Sequence, residues 1–148
     1  MKKLLIAAAL FVSLGAFAGK EKVNEKVNEK VLNAFNTEFA NAQQVEWSAS
    51  ADYFKASFAL NGQIVSAFYN TDGELMGLTR NIPSTQLPVR LQTSLKRNYD
   101  SFWVSNLFEV SNSEGTSYYI TLENGDKKII LKSSGNSDWS TYKKDRKI

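Results

Sequence analysis

Apolar residues recur every fourth position near the start of the chain: Val23, Val27 and Val31, continued by Phe35 and Phe39. That spacing lays one stripe along a helix, and it predicts a dependable helix over about Glu25 to Ala40. The polar positions between them repeat as Glu-Lys-Val-Asn from Glu21, so Lys22 with Glu25 and Lys26 with Glu29 pair across a turn. The period then falls to two. Gln44 to Ser48 carries Val45 and Trp47 on one side, and Tyr53 to Leu60 alternates Phe54, Ala56, Phe58 and Leu60 with Tyr53, Lys55, Ser57 and Ala59. Such alternation is the mark of a half-buried strand. Asn61-Gly62 supplies the two positive-φ residues of a type I′ turn, which returns the chain as a hairpin through Ile64 to Asn70. Thr71-Asp72-Gly73 turns it again into a shorter strand, Leu75 to Thr79.

The same order then recurs. Pro83 breaks the connection Asn81 to Gln86, Pro88 sits where the first turn of a helix tolerates it, and Leu91, Leu95 and Tyr99 follow at helical spacing until Asp100-Ser101. Strands are predicted at Phe102 to Val110, Ser117 to Glu123, Lys127 to Lys132 and Asp138 to Lys143. Asn124-Gly125 marks the place that Asn61-Gly62 holds in the first half, 63 residues earlier (124 − 61). The reading is α+β: two tandem helix-plus-four-stranded antiparallel meander repeats, at about 25–80 and 87–144, forming one curved sheet with helices on one face. Each copy alone would expose the apolar face of a thin sheet, so a shared core is expected.

The first eighteen residues stand apart from this pattern. Lys2 and Lys3 precede the apolar stretch Leu4 to Leu14, and Ala16-Phe17-Ala18 has the small-x-small form of a cleavage site. The stretch falls short of the ~20 apolar residues a membrane span needs. A signal peptide, 1–18, cut after Ala18, is expected, leaving a single domain over 19–148 that is periplasmic or secreted and free of the membrane. Without Lys2 and Lys3 the chain carries 16 basic residues against 15 acidic ones, so the sequence pI of 9.0 owes much to the leader. Lys143, Lys144, Arg146 and Lys147 concentrate the remaining basic charge at the end. With no aromatic-basic stripe beside them they read as a solvated terminus, and nucleic acid is not expected as a partner.

The chain has no Cys and no His. Disulfides and lipid attachment at a cysteine are therefore excluded, as are Ser-His-Asp and Cys-His nucleophiles and the usual zinc ligand sets. Asp72-Gly73-Glu74 and Asn124-Gly125-Asp126 are the nearest approach to a calcium loop, yet both lack the spaced acidic residues that six to eight oxygen ligands require. Turn chemistry accounts for them, and neither a metal nor a cofactor is expected. Glu46, Asp52, Asp72 and Glu74 are the only local carboxylate clustering in the first half, and nothing places a pair across a cleft as acid-base catalysis would need. No catalytic residue is assigned.

Phe39, the Val45-x-Trp47 pair, the Tyr53 to Phe58 alternation, the Asp72-Gly73 turn, Leu87-Pro88 and Tyr99 together resemble exported bacterial proteins of the beta-lactamase-inhibitor-like, or PepSY-like, family. The resemblance spans about Val31 to Lys143. It implies two helix-plus-four-strand repeats forming one curved antiparallel sheet, helices on one side and the other side free to hold a partner, and a non-enzymatic role, with inhibition of an extracytoplasmic enzyme suggested by the family's name. It brings over no inhibitory residue.

Aromatic residues make up 12% of the chain, enough to furnish a two-layer core. The strand face opposite the helices is expected to display Tyr53, Lys55, Tyr119 and Thr121, and tyrosines on an open sheet offer the rigid amphipathic area that binding surfaces use. These four are the candidate partner-binding residues for an unknown exported protein. A concave sheet cradling a small ligand or envelope component is the alternative, marked by a deep apolar pocket. Exposed strand edges leave a monomer or an edge-paired dimer open.

Overall fold

The computed structural model describes residues 27–135 and 137–148. The leader, its cut after Ala18 and the Glu-Lys-Val-Asn repeat before Val27 lie outside the described residues. The chain divides into two compact units after Arg80. The class is α+β, with two α-helices and eight strands among the described residues.

In the first unit, helix α1 runs Glu29–Glu38, shorter at both ends than the periodicity suggested. Asn28 stops it from beginning earlier: its side-chain oxygen accepts the Val31 N–H at 2.9 Å, satisfying one of the donors a helix start leaves open. The Asn28 amide also donates to the Thr71 carbonyl at 2.9 Å, which fixes the helix start against a distant turn. Gly73 completes that join. It has φ +83°, and a Cβ there would lie 2.9 Å from the Lys30 carbonyl oxygen, so no other residue brings the turn this close to the helix.

Four antiparallel strands follow: β1 Gln43–Ala49, β2 Phe54–Leu60, β3 Gln63–Tyr69 and β4 Leu75–Asn81. Asn61 and Gly62 both have positive φ, 51° and 78°, as the type I′ turn requires. Register places Phe54 opposite Tyr69, Ala56 opposite Ala67 and Phe58 opposite Val65, all on the side facing α1. Val27, Val31 and Phe35 of the helical stripe pack onto them. Phe35 is the centre of this packing, with the Trp47 and Phe58 rings each 5.1 Å away at steep angles and Phe39 at 5.5 Å. Burying each such ring contributes about 1.5–3 kcal/mol. A bulge between Gln43 and Glu46, with Gln44 at φ 53°, keeps Val45 and Trp47 together on the core side of β1.

The second unit repeats the element order. A single 3₁₀ turn, Ser84–Gln86, leads to α2, Val89–Asn98, with Pro88 as its N-cap residue. Gln92 bridges the two by donating to the carbonyls of Leu87 at 2.7 Å and Thr85 at 3.2 Å. Lys96 and Arg97 stand in the last turn, where cations suit the helix dipole. The strands are β5 Trp103–Asn112, β6 Gly115–Glu123, β7 Lys127–Ser133 and β8 Ser140–Arg146, a further antiparallel meander. Leu91 of α2 packs with Leu107, Tyr118, Ile120, Leu122, Ile129 and Leu131, and the Trp139 indole N–H donates to the Leu91 carbonyl at 3.1 Å.

Each unit has a buried apolar cluster of its own, formed where its helical stripe packs on its meander. One expectation changes here: the basic terminus is not a free tail, because β8 carries Lys143, Lys144 and Arg146 within its strand. Lys147 is held beyond it by the Glu123 carboxylate at 3.1 Å, the Asn124 carbonyl at 2.8 Å and the face of Trp103 at 4.8 Å.

Candidate functional site

Within each meander, residues alternate between the side covered by the unit's helix and a second face. In the first unit the second face carries Lys55 opposite Phe68, and Ser57 opposite Ser66 with their hydroxyls 3.1 Å apart. Tyr53 lies just before β2, its ring 5.7 Å from that of Phe68. In the second unit Tyr119 is opposite Phe108 on one side and Lys132 on the other, while Thr121 faces Asn106 and Ile130.

The strand alternation therefore places the four candidate residues on the expected side, but their exposure does not follow. Tyr53 is 8% exposed, Tyr119 2% and Thr121 8%, and Lys55 is half-buried. Neighbouring side chains of the same face are the cause. Phe108 stacks on Tyr119 at 5.3 Å and 10°, Tyr142 meets its edge at 5.6 Å, and the Lys132 ammonium lies 5.4 Å from its ring centre. Phe68, itself 1% exposed, packs beside Tyr53. Burial pushes the Tyr119 hydroxyl up to about 12 and holds the Lys55 ammonium below its ordinary value, since both charged forms lose water. The display of bare tyrosines is corrected to a packed aromatic ladder. Its accessible members are Tyr142, 37% exposed, and half-buried Phe108 and Lys132.

Tyr142, left without a register partner by a bulge in the β7–β8 pairing, joins this ladder. Alternation from Thr141, opposite core-side Leu131, gives Tyr142 this face, and the bulge leaves Lys143 on it as well. The same face also collects Trp103, opposite Glu123 and 53% exposed. The Glu123 carboxyl is held below its ordinary value chiefly by the Ser105 hydroxyl and then by Lys147.

The carboxylates weighed for catalysis are not drawn together. Glu46, Asp52, Asp72 and Glu74 are all exposed. Asn70 organises the turn that carries two of them: its side-chain oxygen accepts the N–H groups of Asp72 and Glu74, each at 3.0 Å, and its amide donates to the Glu74 carboxylate at 2.7 Å. Asn124 does the same for its turn, accepting from Asp126 at 2.9 Å and Lys127 at 2.8 Å. Among the described residues no three Asp or Glu side chains are grouped to hold a metal ion. An open cleft of about 450 Å³ lies between Asn81–Ser84 and Val104–Leu107, with as much polar as apolar lining in its Asn, Ser, Ile and Val side chains. No described helix is long and apolar enough to cross a membrane.

No family model matches the sequence. Nor does any curated protein. Solved structures do match the fold. A BLIP-like protein from Bacteroides fragilis is 17% identical with a TM-score of 0.67, over 80% of this chain and 85% of its own. A DUF2874 family protein from Bacteroides ovatus is 20% identical with a TM-score of 0.72, over 83% and 89%. A protein classed as periplasmic, from Bacteroides eggerthii, is 15% identical with a TM-score of 0.71, over 81% and 88%. The resemblance drawn from Phe39, Trp47, Leu87-Pro88 and Tyr99 thus holds at the level of architecture, and this chain has the fold of the BLIP-like and DUF2874 proteins of Bacteroides.

Proposed function

We propose that this protein is an exported, non-catalytic module that binds another protein through the second face of its strands, and that its two units are copies of one helix-plus-meander block. The carrying observation is the ladder Phe108, Tyr119 and Tyr142 with Lys132 beside it. Three rings locked against one another lose little freedom on binding, so a partner meets area that is already ordered. The candidate set of Tyr53, Lys55, Tyr119 and Thr121 then acts as the buried support of the contact, and Tyr142, Phe108 and Lys132 as its touching edge. Tyr142→Ala and Lys132→Ala should weaken a one-to-one complex and leave the melting temperature within a few degrees. Equal binding by both variants and the parent chain would refute the placement.

The inhibitor-like name of the Bacteroides fragilis structure, together with the apolar leader at 1–18, supports inhibition of an extracytoplasmic enzyme as the form this binding takes. Titrating purified exported hydrolases, a serine β-lactamase among them, with excess protein tests it through loss of turnover. The small-ligand cradle has less support, because the open cleft beside Val104 is not the deep apolar pocket that reading needs.

A further inference from the structure

Strand β8 carries a charge arrangement that its own hairpin leaves unbalanced. Among the described residues it pairs with β7 alone, and all seven of its residues are exposed. Register sets Lys127 directly opposite Arg146 and Ile129 opposite Lys144, so Lys127, Lys144 and Arg146 share one side. Lys128 opposite Asp145, and Lys143 opposite Ile130, occupy the other. The carboxylates serve that other side only: Asp145 lies 3.4 Å from Lys143, and Glu123 3.1 Å from Lys147. Among the described residues no carboxylate lies within ion-pair distance of Lys127, Lys144 or Arg146. Like charges directly opposed across a strand pair destabilise it.

Lysines on an edge strand are a common defence against edge-to-edge association. Charges on β8 itself suffice for that defence. It gives no reason for a cation on β7, one strand inside the edge, to face Arg146. An anionic partner does, since it would relieve the Lys127–Arg146 repulsion that the isolated chain retains. The outer row of β8 backbone N–H and C=O groups, which an edge leaves open, selects what kind of partner.

We propose that β8 is the docking edge for an extended acidic segment of a partner protein, which adds as a further strand and sets its carboxylates against Lys127, Lys144 and Arg146. The proposal rests on the reading that this chain binds protein, and it adds a second contact at the edge of the sheet. Strand addition supplies backbone hydrogen bonds, and the three cations supply the choice of acidic over neutral segments.

The test titrates the full-length mature protein with a peptide of about ten residues alternating glutamate with threonine or valine, and follows amide hydrogen exchange in the complex. Saturable binding that weakens with salt, with exchange slowed in Ser140–Arg146 and unchanged in Val89–Asn98, is expected. Lys144→Glu with Arg146→Glu should cut the affinity at least tenfold and transfer preference to the matching lysine peptide. Binding that survives the double variant, or that slows no amide of β8, as attachment to a polyanion or an anionic vesicle surface would, overturns the proposal. So does the absence of binding. Tyr142 and Lys132 lie outside the double variant, so a parent chain that binds no peptide, or a double variant that still binds it, while Tyr142→Ala and Lys132→Ala still weaken the protein complex, sinks the edge alone.

Discussion

The Tyr69 hydroxyl donates to the Glu38 carboxylate at 3.1 Å, joining the last turn of α1 to the end of β3. Tyr69 is fully buried and Glu38 is exposed, so the two ends of this bond have different alternatives. Tyr69→Phe removes the donor and leaves Glu38 to water, and should cost about 1 kcal/mol. Glu38→Ala leaves the buried hydroxyl unpartnered and should cost more, about 1–3 kcal/mol. Urea unfolding of both variants checks the order; the reverse order would show that water reaches the hydroxyl.

Stability should also fall in alkali. Burial, then the hydrogen bond and negative charge of Glu38, push the Tyr69 hydroxyl well above its ordinary value, and burial alone pushes Tyr119 up to about 12. A raised folded-state value means that the folded chain holds its proton more tightly. The stabilisation is therefore complete below about pH 10, where an unfolded tyrosine titrates, and is lost as pH rises through the folded value. Melting temperatures from pH 8 to 12 should decline from about pH 10, and less steeply for Tyr119→Phe.

The two Asn-Gly pairs should respond differently to the same change. Gly62 has φ +78° in a two-residue turn, while Gly125 stands outside the positive-φ region in a three-residue turn held by the Asn124 side chain. Gly62→Ala should cost about 1–2 kcal/mol and Gly125→Ala less than about 0.5 kcal/mol. Equal costs would show that the second turn shares the geometry of the first.

Phe35→Ala should be the most damaging single truncation in the first unit, at about 3–5 kcal/mol, because it empties the place where the Trp47, Phe58 and Phe39 rings meet. Differential scanning calorimetry would show whether the second unit's unfolding shifts with it.

Much of this architecture was legible in the residues. The stripe Val27, Val31 and Phe35 and the alternation Phe54, Ala56 and Phe58 are the buried positions of the first unit, and the Asn61-Gly62 hairpin has the turn its residues demand. Periodicity states which side of a strand a residue takes, and there it succeeded for Tyr53, Lys55, Tyr119 and Thr121 as well. It is silent on what covers that side. Tyr119 is enclosed by Phe108 from one neighbouring strand and by Tyr142 from β8, two strands away, and no local pattern announces either contact. The Lys147 contacts with Glu123 and Trp103 were hidden for a similar reason, since they join residues 24 and 44 positions apart along the chain (147 − 123, 147 − 103).

The most direct measurement places a photo-crosslinking phenylalanine derivative at position 142 on the ladder, and in a second protein at position 89 on the exposed flank of α2, in cells that export the chain. The account predicts one discrete adduct from position 142, of reproducible mass and suppressed by Lys132→Ala, and none from position 89. An adduct from position 89 alone, or identical adducts from both, would contradict it.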